Sequence, residues 1–198
     1  MKTQVAIIGG GPSGLLLSQL LHTRGIDSVV LERKTKDYVL GRIRAGVLEQ
    51  GLVALMEKAG CADRLHAEGI PHEGTWISYG DEMFRVDFTE HTGKLVMVYG
   101  QTELTSDLYK AREESGGKFE FNVEDVAIHS ADTDAPHIDY IVAGEARRLD
   151  CDFIAGCDGF HGVSRQSIPL DVRKEYEKVS PFGWLGVLSE TPPVNHEL

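Results

Sequence analysis

Three glycines near the amino terminus have the spacing of a dinucleotide-binding turn. Gly9, Gly11 and Gly14 follow the apolar run 5–8, which predicts a buried strand, and they precede a segment with helical periodicity. In such a turn the first glycine permits a tight bend, the second lets a pyrophosphate approach the backbone, and the third allows helix and strand to pack closely. The N-terminus of the helix offers unpaired N–H groups to a phosphate, and Ser13 can add a hydroxyl there. The spacing therefore predicts a nucleotide site.

A carboxylate stands at the end of the next predicted strand. The apolar run 29–31 is closed by Glu32, which lies 18 residues after Gly14. A carboxylate at this point can accept hydrogen bonds from the ribose hydroxyls of an adenosine, and it would repel a 2′-phosphate. NADP is therefore disfavoured at this first site, whereas FAD and NAD both stay open.

Two further segments carry residue types that suit a cofactor. The loop 41–46 reads Gly-Arg-Ile-Arg-Ala-Gly in an acidic protein, so it can neutralise a pyrophosphate while its backbone follows a flat ring system. Asp158 and Gly159 follow the apolar segment 151–157, which predicts a carboxylate at the carboxyl edge of the sheet, where open α/β folds bind ligands. Each segment also has a plain structural explanation, as a basic surface loop or as an Asp-Gly turn.

Two single residues are weaker candidates. His72 lies between Pro71 and Glu73, and its proton affinity near neutral pH makes it a candidate proton relay, although a lone histidine is more often a polar surface group. Gln101 opens a predicted helix after the apolar segment 95–99. Its side chain can either cap that helix or contact a cofactor.

Composition restricts the class of protein. Of the 198 residues, 41% are hydrophobic and 26% are charged, which is typical of a globular protein. The net charge of −11 argues against nucleic acid and anionic membranes as partners. Cys61, Cys151 and Cys157 show no metal-ligand spacing, and no apolar run reaches the length of a membrane span. We therefore predict a cytoplasmic protein with reduced thiols and no metal site.

The elements that must position these residues follow two patterns. A strand–helix–strand unit begins the chain, with its helix over 13–24, and it predicts a parallel sheet. A further helix is predicted over 47–59. From residue 75 to residue 98 short alternating stretches predict antiparallel sheet, and the segment 182–188 predicts another strand.

These segments together resemble the class A flavoprotein monooxygenases, and within them the family of 4-hydroxybenzoate 3-monooxygenases. The likeness rests on the glycine turn with Glu32 and then, in the same order, on segments 41–50, 99–103, 156–162 and 181–186. It implies an α/β fold in which a Rossmann-like FAD-binding domain with a parallel sheet carries an inserted antiparallel-sheet substrate domain. The FAD-binding domain would comprise residues 1–73 and 100–174, and the substrate domain residues 74–99 and 175–198.

The resemblance also implies roles for individual residues. The FAD contacts would be Gly9, Gly11, Ser13, Gly14, Glu32, Arg42, Ile43, Arg44, Ala45, Gly46, Val47, Gln101 and Asp158. NADPH lies over the surface in this family, without a second Rossmann fold, and its candidate contacts are Arg33, Lys34, Tyr38, Arg44, His161 and Arg165. His72 matches the position of a histidine that passes the phenolic proton of the substrate to solvent.

The implied function is that of an FAD-dependent aromatic hydroxylase in aromatic hydrocarbon catabolism. Such an enzyme uses NADPH and O₂ to convert 4-hydroxybenzoate to 3,4-dihydroxybenzoate, and the family suggests a homodimer. NADPH reduces the flavin by hydride transfer, and the reduced flavin then activates O₂.

Two departures from the family pattern leave alternatives open. Gly162 stands where the wider superfamily often has serine, four residues after the Asp of the Asp-Gly motif. The chain also ends at Leu198, before the second flavin motif and the residues that grip the substrate, so we expect a fragment or truncation that is inactive alone. The alternatives are a non-catalytic, truncated FAD-binding module and an NAD-dependent Rossmann dehydrogenase, for which no Tyr-x-x-x-Lys is well placed.

Overall fold

The computed structural model describes residues 1–42, 44–183 and 190 of the chain. Its elements, in chain order, are β1 Val5–Ile8, α1 Pro12–His22, β2 Ser28–Glu32, α2 Lys36–Leu40, β3 Val47–Glu49, α3 Gln50–Lys58, α4 Asp63–Glu68, β4 Ile70–His72, β5 Gly74–Tyr79, β6 Glu82–Asp87, α5 Phe88–Thr92, β7 Val96–Val98, α6 Gln101–Glu114, β8 Lys118–Phe121, β9 Glu124–His129, β10 His137–Val142, β11 Glu145–Asp150, β12 Phe153–Gly156 and α7 Val163–Gln166.

A parallel sheet organises the first layer of the protein. Its strands run in the order β12-β1-β2-β8, and every neighbouring pair is parallel. All residues of β1 and β2 are buried, which is why their sequences are continuous apolar runs and do not alternate. The carboxyl ends of β1, β2 and β12 therefore meet at one edge of the sheet. The glycine turn follows β1, Glu32 is the last residue of β2, and Asp158 comes shortly after β12.

Different elements cover the two faces of this sheet. On one side α1 and α6 pack together through a cluster that includes Leu15, Leu104, Leu108 and Tyr109. On the other side the antiparallel sheet β11-β10-β9 packs its buried residues, among them Ile138, against β1 and β2. The result is an α/β fold with three layers.

Two small antiparallel sheets complete the described chain. The strands β3, β7 and β4 form one sheet in that order, and β5 pairs with β6 in a hairpin. The fold therefore combines a parallel sheet with antiparallel sheets, which confirms the predicted fold class. The division into FAD-binding and substrate segments stays a prediction. Across the described ranges, no helix is long and apolar enough to cross a membrane.

One predicted helix begins too early, and another prediction lies partly beyond the described residues. The sequence predicts a helix over 47–59, but Val47–Glu49 form β3, and the helix α3 begins at Gln50. This difference arises because β3 pairs with Val96–Val98, a partner that local periodicity cannot reveal. Of the predicted strand 182–188, residues 184–188 lie outside the described residues, and Phe182 and Gly183 are in no strand.

Candidate cofactor site

The glycine turn joins β1 to α1, and its three glycines meet three different steric demands. Gly9 has a φ of +108°, and a Cβ there would collide with the carbonyl group of Cys157. A Cβ on Gly14 would collide with the carbonyl oxygen of Gly9. At Gly11, by contrast, no atom of the described residues lies within 4 Å of the position of a Cβ. Gly9 and Gly14 are therefore required by the fold, whereas the fold does not require glycine at Gly11, where the open space would allow a ligand to approach the backbone.

Glu32 ends β2 with its side chain buried, and it holds the turn in place. One carboxylate oxygen accepts a hydrogen bond from the backbone N–H of Gly10 at 2.7 Å, and the other accepts one from the N–H of Lys34 at 2.9 Å. Each oxygen can accept a further hydrogen bond, so acceptors remain for ribose hydroxyls.

Tyr109 holds the same residue of the turn through its carbonyl group. Its hydroxyl, on the buried face of α6, donates to the carbonyl oxygen of Gly10 at 2.8 Å. Burial, and secondarily the charge of Glu32, raises the pKa of Tyr109, so the phenol keeps the proton that it donates. Both polar groups of Gly10 are thus fixed by side chains from distant parts of the chain.

The pairing of β3 with β7 brings the loop 41–46, which carries Arg42 and Arg44, to the start of α6. The N–H of Tyr99 donates to the carbonyl oxygen of Gly46 at 2.7 Å. A Cβ on Gly46 would lie 2.7 Å from the carbonyl oxygen of Tyr99 and 2.8 Å from the Cα of Gly100, so this close approach requires glycine. As a consequence Arg44 and Gln101, which are far apart in sequence, line the same cleft.

One cleft collects most of the candidates at the carboxyl edge of the parallel sheet. Its lining comprises Gly9, Gly11, Pro12, Glu32, Arg33, Lys34, Tyr38, Val39, Arg42, Arg44, Gln101, Thr102, Thr105, Cys157, Asp158 and Gly159. Among these described residues, the cationic side chains outnumber the carboxylates, although the chain as a whole is acidic. This local excess of positive charge suits a ligand with two phosphates.

Some residues of this cleft are ones that the resemblance implies for NADPH, and sequence reasoning missed others. Arg33, Lys34 and Tyr38, the predicted NADPH contacts, line the same cleft as Glu32. Thr102 and Thr105 were missed. They lie one and four residues after Gln101, and this spacing, which places residues on one side of a helix, is the signal that could have identified them.

The remaining predicted residues lie around the cleft or away from it. Ser13 is exposed and Gly14 is buried beneath the turn, and neither is among the lining residues. Ala45 and Gly46 continue the loop beyond Arg44 and Val47 begins β3, and none of the three lines the cleft; Ile43 lies outside the described residues. His72 lies on β4, paired with Val96, and is not among the lining residues.

The last two NADPH candidates border neighbouring hollows. His161 lines one that also contacts Glu32, Arg33 and Asp158. The guanidinium of Arg165 lies 4.1 Å from the centre of the Phe160 ring, in a cation–π contact, and Arg165 lines another hollow beside Asp158.

Asp158 explains the departure at Gly162. The carboxylate of Asp158 accepts a hydrogen bond from the backbone N–H of Ser164 at 3.0 Å. A Cβ on Gly162 would collide with this carboxylate, so a serine there would require Asp158 to move. The glycine thus allows the carboxylate to fold over the loop at the end of β12.

Comparisons with known proteins show the family to which the chain belongs. A family model described as FAD binding domain matches residues 2–197. The chain is 52% identical over 199 residues to the p-hydroxybenzoate hydroxylase of Acinetobacter baylyi, and the match covers 100% of this chain and 49% of that protein. It is 28% identical to the "Probable NADH-specific resorcinol 4-hydroxylase" of Rhodococcus jostii, a match that covers 82% of this chain and 32% of that protein.

A solved structure shows the same fold. The p-nitrophenol 4-monooxygenase PnpA from Pseudomonas putida DLL-E4 superposes with a TM-score of 0.72 at 20% identity, covering 84% of this chain and 44% of that one. The chain thus spans about half or less of the length of these proteins. Since the family model covers nearly every residue, the chain belongs to the FAD binding domain family.

Proposed function

We propose that this chain is the FAD-binding part of an FAD-dependent aromatic hydroxylase that uses NADPH and O₂ to convert 4-hydroxybenzoate to 3,4-dihydroxybenzoate. The observation that carries the proposal is the cleft in which the glycine turn, Glu32, Arg44 and Gln101 converge. The choice of 4-hydroxybenzoate is supported by the 52% identity to a p-hydroxybenzoate hydroxylase.

The residues of the cleft fit the parts of FAD. Glu32 would accept hydrogen bonds from the adenosine ribose, beside Arg33, Lys34 and Tyr38, whose ring lies 5.5 Å from the ammonium group of Lys34. The open space at Gly11 and the N-terminus of α1 would take the pyrophosphate.

The rest of the cofactor would lie along the other lining residues, Arg44, Gln101 and Asp158. The bound FAD would supply the hydride acceptance and oxygen activation that amino-acid side chains lack. The protein holds that cofactor, orients it and keeps its charge neutralised.

For the nicotinamide cofactor we propose NADPH, bound over the exposed side chains of Arg33 and Lys34 at the cleft. Arg33 and Lys34 present two cations beside Glu32, and His161 borders the adjoining hollow. Cations in this arrangement suit a 2′-phosphate, which NADH does not carry. One relative bears a name that specifies NADH, so the preference between NADH and NADPH needs to be measured for this protein.

Three further parts of the proposal concern His72, the cysteines and the oligomeric state. His72, half-buried on β4, would pass the phenolic proton of the substrate to solvent. The three cysteines are free thiols, which suits the reducing cytoplasm. A homodimer is proposed for the full hydroxylase.

A retention experiment followed by a turnover experiment tests the proposal. The 198-residue chain is incubated with FAD and desalted, and retained absorbance near ~375 and ~450 nm is expected for bound oxidised flavin. A hydroxylase that contains this chain should then oxidise NADPH faster when 4-hydroxybenzoate is added and release 3,4-dihydroxybenzoate. The Gly11→Ala variant is the control for retention.

Loss of all flavin on desalting, in both the chain and the larger protein, would contradict the assignment of the cofactor. Retained flavin with no product from 4-hydroxybenzoate, but with product from another phenol, would contradict the substrate alone.

A further inference from the structure

Two histidines and an aspartate lie together on the antiparallel sheet, outside the cofactor cleft. His129 ends β9 and His137 begins β10, and the antiparallel register places them directly opposite each other. Asp139 lies two residues further along β10 and therefore on the same face. The two imidazole rings are nearly parallel, with centroids 5.0 Å apart, and the potential ligand atoms of the three residues all lie within 4.8 Å of one another.

This face of the sheet points away from the protein interior. Ile138 and Tyr140, which alternate with the cluster along β10, are buried against the parallel sheet. His137 and Asp139 consequently project from the opposite face, where an ion from solvent can reach them. None of the three residues lines the cofactor cleft, so the cluster is not explained by the proposed hydroxylase.

We propose that His129, His137 and Asp139 form a binding site for a divalent first-row transition metal ion of the Cu²⁺, Ni²⁺ or Zn²⁺ class. Imidazole nitrogen and carboxylate oxygen are the ligands that these ions take in proteins. Nδ1 of His137 lies 3.4 Å from the carbonyl oxygen of Ala135, and a hydrogen bond there keeps the proton on Nδ1 and leaves the lone pair of Nε2 for a metal.

The remaining two ligands already face each other. Nε2 of His129 lies 3.5 Å from a carboxylate oxygen of Asp139. Ligand atoms bound to one ion lie about 2.0–2.2 Å from it, so the exposed side chains need to close by small rotations without movement of the backbone.

A neighbouring arginine limits the affinity. Arg148 lies opposite Asp139 on β11 and donates to both of its carboxylate oxygens, at 2.7 and 2.9 Å. Its positive charge opposes a cation, and it competes for the carboxylate, whereas Asp150, opposite His137, offsets part of that charge. The two imidazoles therefore contribute most of the binding. The expected affinity is micromolar, with Cu²⁺ bound more tightly than Ni²⁺ or Zn²⁺.

A bound ion would join β9 to β10 at the loop end of their hairpin, directly beside the connecting loop 130–136. It would bind the folded chain and not the unfolded one, because the two histidines are brought together by strand pairing. Metal should therefore raise the melting temperature in proportion to the logarithm of its concentration above Kd.

The test is a calorimetric titration of the untagged 198-residue chain with CuCl₂, NiCl₂ and ZnCl₂. His129→Ala and His137→Ala are each expected to weaken binding by at least about tenfold. The matched control is His91→Ala, which removes an exposed histidine from α5 and should leave the affinity unchanged. Arg148→Gln is expected to tighten binding severalfold, because it frees the carboxylate of Asp139 and removes a positive charge.

Urea unfolding without metal checks that the variants fold. Their free energy of unfolding should differ little from that of the wild type, because both histidines are on the outer face of the sheet. The proposal fails if the wild-type chain binds none of the three ions at about 1 mM, a concentration that would detect even weak sites. It fails equally if both histidine variants bind metal as tightly as His91→Ala does, or if Arg148→Gln leaves the affinity unchanged.

Discussion

Glu32 has two roles at one point of the cofactor cleft. It accepts hydrogen bonds from the backbone N–H groups of Gly10 and Lys34, which orders the turn, and it also lines the cleft. A carboxylate is suited to both because it accepts several hydrogen bonds and donates none.

Replacing Glu32 with Gln should separate these roles from simple packing. Gln keeps the shape but removes the charge and replaces one acceptor with a donor, so the affinity for FAD should fall by a factor that corresponds to about 1.5–3 kcal/mol, the range for hydrogen bonds to charged groups. Quenching of flavin fluorescence on titration with protein measures this. Glu68→Gln, at an exposed site on α4, should bind FAD like the wild type. Equal dissociation constants for Glu32→Gln and Glu68→Gln would contradict the role of Glu32.

Tyr109→Phe tests the other clamp on the turn. The change leaves the buried carbonyl oxygen of Gly10 without its side-chain donor, which should lower the free energy of unfolding by about 1–3 kcal/mol. FAD should also bind severalfold more weakly, because the turn that receives the pyrophosphate is less well fixed. Urea unfolding and flavin titration provide the two measurements. Tyr176→Phe is the control, since Tyr176 is 90% exposed. An unchanged stability for Tyr109→Phe would show that the hydrogen bond does not hold the turn.

At the scale of elements, the junction of β1 with α1 contains one glycine that the fold requires and another that we expect the ligand to require. Gly11 has an extended backbone, with φ −77° and ψ −178°, which any residue can adopt. Gly14, by contrast, lies where the helix packs onto the strand. Alanine substitutions at Gly11 and Gly14 should therefore have different consequences, the first for the binding of FAD and the second for stability.

Gly11→Ala should leave the melting temperature of the FAD-free chain nearly unchanged and weaken FAD binding by about tenfold or more, because its methyl group occupies the approach of the pyrophosphate. Gly14→Ala should destabilise the FAD-free chain by about 1–3 kcal/mol, because its methyl group collides with Gly9. Thermal unfolding with and without FAD distinguishes the two effects. A Gly11→Ala chain that binds FAD normally would place the pyrophosphate elsewhere.

At the scale of the whole molecule, buried acids that are neutral at pH 7 determine the response to alkali. Burial is the main cause that raises the pKa of Tyr99, Tyr109, Tyr140, Cys61, Cys151 and Cys157. In the unfolded chain these groups lose protons from about pH 8.5 for cysteine and about pH 10 for tyrosine. Above those values the folded state binds more protons than the unfolded state, so the free energy of unfolding falls as the pH rises.

Urea unfolding at a series of pH values from about 7 to 10.5 should therefore show a loss of stability that begins near pH 8.5–9. Tyr140→Phe should reduce the slope above about pH 10, because it removes one of these titrating groups. It should cost little stability at pH 7, because the hydroxyl of Tyr140 is buried and has no hydrogen-bond partner among the described residues. A stability that is constant up to pH 10.5 would contradict the raised pKa values.

The sequence by itself determined the nucleotide turn and its carboxylate, because both belong to one local strand–helix–strand unit. Within that unit, the spacing of Gly9, Gly11, Gly14 and Glu32 follows directly from the geometry of the turn and the length of the crossover. Arg42, Arg44, Gln101 and Asp158 were identified only as separate loops or element ends, and the resemblance to a known family was needed to group them.

The tertiary structure decided what depends on partners distant in sequence. The short strand β3 forms because β7 pairs with it, which overrides the local helical pattern and places Gly46 against Tyr99. Tyr109 reaches Gly10 because α6 packs on α1, and no spacing in the sequence predicts that contact. His129 and His137 meet only because the register of β9 with β10 aligns them across a loop. Local periodicity reports which face of an element is apolar, whereas strand register and helix packing decide which side chains meet.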